Sequence, residues 1–225
     1  MNKEKYIDPF LEKRISKYDE WLSKGLISHS SKVIPISESL HAKQWVLPTE
    51  QVLEILGNAQ SLAVQNCECR THYKRCDHPL EVCLLLNGVG DTFVGKGRAR
   101  RVDLSEAAEI IKKANESGLI HLSFYMPDHE IFALCSCCPC CCHDLQIVKR
   151  YERKDLMVHS EYIAVTNAGD CIDCGECVER CVFGARVFRD GKMEYNAAAC
   201  LGCGLCVTRC PAEIISMELR TESVP

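Results

Sequence analysis

Between Cys171 and Pro211 the chain states one pattern twice. Cys171-x2-Cys174-x2-Cys177-x3-Cys181 is followed by Cys200-x2-Cys203-x2-Cys206-x3-Cys210-Pro211, each cysteine recurring 29 positions on. Gly175, Val178 and Arg180 recur as Gly204, Val207 and Arg209, so the stretch is an internal duplication of one metal-binding unit. Three cysteines at x2, x2 spacing wrap a tight loop around three irons of a [4Fe–4S] cube. The glycine between the second and third lets the backbone approach and aim N–H groups at the cluster sulfurs. Zinc ribbons also use paired C-x2-C motifs, but they rarely place three cysteines at x2, x2 with a fourth at x3, twice over. The spacing therefore predicts iron–sulfur clusters.

On these residues, 160–220 resembles a bacterial-type two-[4Fe–4S] ferredoxin domain. The resemblance implies that Cys171, Cys174, Cys177 and Cys210 hold one cluster and Cys200, Cys203, Cys206 and Cys181 the other, each fourth cysteine crossing over. One departure stands out. The proline that follows the fourth cysteine is present as Pro211 but replaced by Val182 in the first unit. Proline there restricts φ and removes a donor, so its loss loosens a turn without removing a ligand.

The chain has 225 residues, 18 of them cysteine. That length is too great for a disulfide mini-protein, and the cysteines stand at ligand spacing. The first residues, MNKEKYIDPFLEKR, lack the apolar core of a signal peptide, and no run approaches 18 apolar residues, so no membrane span is expected. We expect a cytoplasmic protein of a reducing, oxygen-poor cell. Charge is unevenly spread. Residues 1–159 hold 21 Lys+Arg against 21 Asp+Glu, whereas residues 160–225 hold 6 against 10. An acidic end suits an electron carrier that docks on basic redox partner proteins, and it argues against nucleic acid as a partner.

Upstream, residues 8–24 read as a helix, with Asp8 as N-cap, Pro9 at N1 and Gly25 at the C-terminal cap. Phe10, Leu11, Ile15, Tyr18 and Leu22 share its apolar face. Lys32–Ile36 is a strand candidate. A helix capped by Thr49 and ended by Gly57 leads to a strand at Ser61–Gln65. A second helix, capped by Ser105 and ended by Gly118, leads to a strand at Leu119–Tyr125. Gly90–Gly97 nearly matches a phosphate-binding loop, but Gly97 stands where the Mg²⁺-binding hydroxyl belongs and no apolar strand feeds it, so a plain glycine-bearing loop is expected. Lys96, Arg98, Arg100 and Arg101 follow as a basic stripe, read as a solvated face. Residues 144–159 read as a helix and linker. Beyond them come a strand at Glu161–Thr166, a hairpin over 187–195 with an Asp190-Gly191 turn, and a closing strand at Ile214–Leu219.

Each helix–strand pair in the first half delivers a group of cysteines: Cys67, Cys69, Cys76 and Cys83, then Cys135, Cys137, Cys138, Cys140, Cys141 and Cys142. Free cysteine is ordinarily an inert buried residue. Six in an eight-residue window exceed what packing needs, and adjacent thiolates repel unless protonated or metal-bound. All ten are candidate metal ligands, with His78 and His143 as possible nitrogen donors. Zinc needs only four ligands per site. One or two further iron–sulfur clusters, drawing on both groups, are expected instead. The runs Asn66–Arg70, Cys76–Cys83 and Cys135–Cys142 are similar to an N-terminal region of ferredoxin-like iron–sulfur proteins of anaerobes. That resemblance implies an iron–sulfur role without naming a substrate.

The expected fold is α+β: a mixed helix/strand, cysteine-rich domain over 1–159 and a ferredoxin-type two-cluster domain over 160–220. The expected function is electron transfer through the two [4Fe–4S] clusters to an N-terminal cluster or partner enzyme. No G-x-S-x-G, H-E-x-x-H or dinucleotide fingerprint marks a catalyst. The alternative is an iron–sulfur reductase with a substrate-accessible N-terminal cluster. A nucleic-acid-binding sensor is disfavoured, because no recognition helix with base-reading side chains is apparent.

Overall fold

The computed structural model describes residues 8–34, 50–126 and 130–221. Helix α1 spans Pro9–Ser23, and the Asp8 carboxylate caps it by accepting from the backbone N–H of Phe10 (3.1 Å) and Leu11 (3.3 Å). Its apolar face buries Leu11 and Tyr18, as the periodicity predicts. The chain continues through β1 (Ser31–Ile34), α2 (Glu50–Asn58), β2 (Leu62–Asn66), α3 (Glu68–Tyr73) and β3 (Glu81–Leu86). Next come α4 (Asn87–Gly95), β4 (Arg100–Val102), α5 (Leu104–Glu116), β5 (Ile120–Tyr125), β6 (Ile131–Cys137), α6 (His143–Tyr151) and β7 (Met157–Val158). The C-terminal part holds β8 (Tyr162–Thr166), α7 (Glu176–Arg180), β9 (Arg186–Arg189), β10 (Lys192–Tyr195) and β11 (Ile215–Leu219). The expected ends of β1 at Pro35 and Ile36, and the Thr49 cap of α2, lie outside the described residues.

Two sequence expectations are corrected. Gly90–Gly97 is not a loop: most of it belongs to α4, and the buried apolar strand β3 runs directly into it. Gly90 lies where a Cβ would stand 3.0 Å from the Leu85 carbonyl oxygen and 3.5 Å from the Ala63 Cβ, so a glycine lets this helix lie directly on β2 and β3. Close packing there outweighs the low helix propensity of glycine. The cap of α5 is Asp103, not Ser105. Its carboxylate accepts from the Glu106 N–H at 2.8 Å, adding a negative charge at the helix N-terminus. The basic stripe is partly neutralised, Arg100 by Glu81 (2.9 Å) and Glu106 (2.5 Å), and Arg101 by Asp91 (2.8 Å).

Seven strands form one sheet in the order β4-β2-β3-β6-β5-β1-β7, antiparallel except for β1 and β7. Because side chains alternate across a strand, the sheet has two distinct faces. Leu84, Leu86 and Leu134 point to one, where Val52 and Leu56 of α2 and Ala107, Ile111 and Ala114 of α5 cover them. Leu85, Leu122, Phe124, Ala133 and Cys137 point to the other. That second face is packed against Leu145 of α6 and against Val182, Phe183, Leu201 and Leu205 of the duplicated cysteine region.

The C-terminal part builds two small ladders. β8 pairs with β11 from Tyr162↔Leu219 to Thr166↔Ile215, and β9 pairs with β10 through the Asp190-Gly191 turn. Both turn residues have positive φ, 48° and 77°, the geometry such a hairpin requires and the Asp-Gly pair predicts. Among the described residues no helix is long and apolar enough to cross a membrane.

Candidate metal and cluster sites

The repeat folds as its spacing demands. Gly175 and Gly204 occupy equivalent places at φ 78°, turning the chain between the second and third cysteine of each unit. Cys171, Cys174, Cys177 and Cys210 together line one small cavity of about 20 Å³, closed by Ile172, Met193 and Ile214. Three of these thiols come from the first unit and one from the second. The Asp173 carboxylate braces this loop by accepting from the Met193 N–H at 2.9 Å. The other four thiols also gather, Cys200, Cys206 and Cys181 lying around Cys203. A donor set of eight soft thiols in two crossed groups of four, with glycines that admit close approach, fits two cubane clusters.

One residue beside both thiol groups escaped the sequence reading. Arg186, only 2% exposed, lies between Cys177 and Cys206, one thiol from each group. It donates to Thr166 Oγ1 at 2.9 Å and its guanidinium stacks over the Tyr195 ring at 4.5 Å. Burial pushes the Cys206 thiol up to about 11, while the Arg186 charge pulls it back. No sequence signal could have found it, because its thiol neighbours arrive from separate loops. Arg186→Gln is expected to shift both one-electron couples to more negative potential by roughly 50–100 mV, since a lost cation disfavours the added electron. Potentiometric titration followed by EPR checks this; unchanged midpoints would remove Arg186 from any tuning role.

The ten N-terminal cysteines separate into two groups. Cys76, on the chain between α3 and β3, meets Cys138, Cys140 and Cys141, on the turn between β6 and α6. Their four Sγ atoms all lie within 4.8 Å of one another, with Cys76 at 3.7 Å from Cys138 and 3.8 Å from Cys141. The remaining six, Cys67, Cys69, Cys83, Cys135, Cys137 and Cys142, line a cavity of about 360 Å³, whose wall Cys138 of the first group also reaches. Strand register assembles its floor: Cys83 pairs with Cys135, and Cys137 follows two residues on along the same face. Trp21, Phe93, Phe124 and Phe132 supply an aromatic wall.

His143 lines this cavity but has both ring nitrogens engaged. Nδ1 lies 2.9 Å from Cys69 Sγ, and Nε2 lies 3.2 Å from the Tyr18 hydroxyl. The histidine thus orients a thiol, and His78 belongs to neither thiol group. Arg70, 2% exposed, runs between the two groups. It donates to the carbonyls of Ser136 (2.9 Å) and Pro79, with its guanidinium beside the Cys138 thiol. Fixed cations and hydrogen bonds of this kind orient thiolate ligands and offset their charge.

A family model described as a 4Fe-4S dicluster domain matches residues 170–214. The match spans both cysteine units and stops short of the ten upstream cysteines. No curated protein sequence matches the chain significantly. The C-terminal region is thus an iron–sulfur cluster-binding domain of ferredoxin type, preceded by a cysteine-rich region of mixed helix and strand.

Proposed function

We propose that the protein relays electrons from an outside donor, through two [4Fe–4S] clusters, to a further iron–sulfur cluster in the N-terminal cavity. The observation that carries this reading is the shared packing between the two halves. Cys203, Leu201 and Leu205 of the second cysteine unit pack in the same apolar cluster as Cys137 and Cys142 of the cavity wall. The cluster on Cys200, Cys203, Cys206 and Cys181 is then the inner relay. The cluster on Cys171, Cys174, Cys177 and Cys210 is the entry point, because Cys174 is exposed and Ile172 beside it is 64% exposed. Asp170, Asp173, Glu176 and Glu179 give that end a negative field, which suits docking by a basic redox partner.

We divide the chain at 159/160, since the seven-stranded sheet ends at Val158 and the small ladders begin at Tyr162. The cavity cluster draws on Cys67, Cys69, Cys83, Cys135, Cys137 and Cys142. So dense a set of reduced thiols suits the cytoplasm of an anaerobe. Iron and acid-labile sulfide, measured on anaerobically purified protein, test the cluster count. Sulfide of about twelve per chain is expected; eight would sink the N-terminal cluster.

The aromatic wall of the cavity favours one second reading, a reductase whose cavity cluster meets a substrate. Under that reading a small added ligand perturbs the EPR signal of the N-terminal cluster and of no other.

A further inference from the structure

We propose that Cys76, Cys138, Cys140 and Cys141 hold a single four-coordinate metal ion, zinc or iron, without bridging sulfide. This centre is separate from every cluster of the relay, and its assignment does not depend on the relay. The argument is geometric. A tetrahedral ion with metal–sulfur bonds of about 2.3 Å holds its thiolates roughly 3.8 Å apart. Cys76 stands at 3.7 Å from Cys138 and 3.8 Å from Cys141, and all four sulfurs lie within 4.8 Å of one another. A cubane cannot accept thiolates so close together. Each of its four ligands points outward from its own iron, so the sulfurs stand apart by much more than one tetrahedral edge.

The same chain supplies its own control. Among the described residues no other set of three or more Cys, His, Asp or Glu side chains draws its donor atoms that close. The two C-terminal groups of four, which belong to the dicluster domain, are more open. Two kinds of thiol group therefore coexist, one open and one closed around a point.

The closed group is also braced as a built site. The turn that carries three of its cysteines is held by the N–H groups of Cys141 (3.3 Å) and Cys142 (3.0 Å), both donating to the Cys138 carbonyl. Buried Gln146 of α6 donates to the Cys141 carbonyl at 3.1 Å. Arg75 donates to the Cys140 carbonyl at 3.2 Å and to Gln146 Oε1 at 2.8 Å. Four thiolates around a divalent ion carry a net charge of −2, and Arg70 and Arg75 stand beside them to offset it. The ion ties the Cys76 segment to the β6–α6 turn, from which Cys137 and Cys142 also reach the cavity.

The test uses the full chain, purified anaerobically, with zinc, iron and acid-labile sulfide measured together. We expect either one zinc per chain or iron in excess of sulfide by one, and the two results tell the ions apart. X-ray absorption at the edge of that metal is expected to show four sulfurs near 2.3 Å. For zinc, no metal neighbour should appear. Cys140→Ser is expected to remove that one ion and leave sulfide unchanged. Two results would overturn the proposal: iron equal to sulfide with zinc absent, or sulfide falling by about four in the variant. If Cys140→Ser does not fold, the wild-type metal-to-sulfide ratio still decides. The relay is judged separately, by whether sulfide exceeds eight.

Discussion

Cys203→Ser is expected to leave the exposed cluster reducible while stranding the N-terminal centre in its oxidised state. The residue belongs to the inner group of four, and its loop packs beside Cys137 and Cys142 of the cavity wall. Losing one thiolate destabilises or opens that cluster. On the proposed relay, electrons then have no intermediate stop between the entry cluster and the cavity. Under a protein-sized reductant, freeze-quenched EPR should show the entry cluster reduced at the wild-type rate and the N-terminal signal delayed by an order of magnitude or more. Cys174→Ser provides the opposite result, slowing both signals because it removes the entry cluster itself. If the N-terminal centre is reduced equally fast in Cys203→Ser, electrons enter the cavity by another route and the proposed direction is wrong.

Gly202→Ala is expected to destabilise the protein by roughly 3 kcal/mol or more and to cost it the inner cluster. Gly202 has φ 75°, and a Cβ there would stand 2.1 Å from the Tyr162 carbonyl oxygen and 2.8 Å from the Ser160 Cβ. Neither neighbour can step aside cheaply. Tyr162 is held in β8 against Leu219, and the Ser160 N–H donates to the Leu201 carbonyl at 3.0 Å. Arg220 closes the clamp by donating to the carbonyls of Ser160 (2.9 Å) and Cys200 (2.6 Å). Gly118 is the informative contrast. A Cβ there would meet only the end of the Arg180 side chain, which can swing away, so Gly118→Ala should cost about 1 kcal/mol, the price of its φ of 70°. Denaturant unfolding and sulfide content read both variants. Equal, small losses would show that the Ser160–Tyr162 strap is not tight.

Local chemistry made much of the fold legible. Asp8-Pro9 announced α1, and Asp190-Gly191 announced the β9–β10 hairpin, because caps and turns depend on a few adjacent residues. Where a tertiary contact outweighed local preference, the reading failed. The glycines at 90, 95 and 97 suggested a loop, yet Gly90 and Gly95 belong to a helix pressed onto β2 and β3. Ser105 was the expected cap of α5, but the extended backbone at Asp103 makes that residue the cap. Arg186 gave no local sign at all, since its neighbours Cys177 and Cys206 arrive from separate loops.

The two tight loops at 171–177 and 200–206 were legible in the sequence, because short x2 spacing turns the chain back on itself. That Cys210 joins the first loop and Cys181 the second was implied only by the resemblance, and the fold is what brings those thiols near. The ten upstream cysteines could be singled out as candidate ligands but not sorted. Cys83 reaches Cys135 only through strand register, and Cys76 reaches Cys138 and Cys141 at sequence separations of 62 and 65. Cys137 ends β6 and faces the cavity, whereas Cys138, the next residue, also reaches the Cys76 group. Spacing along the chain carries no information about such long-range partners, so the tertiary structure alone decided which thiols meet.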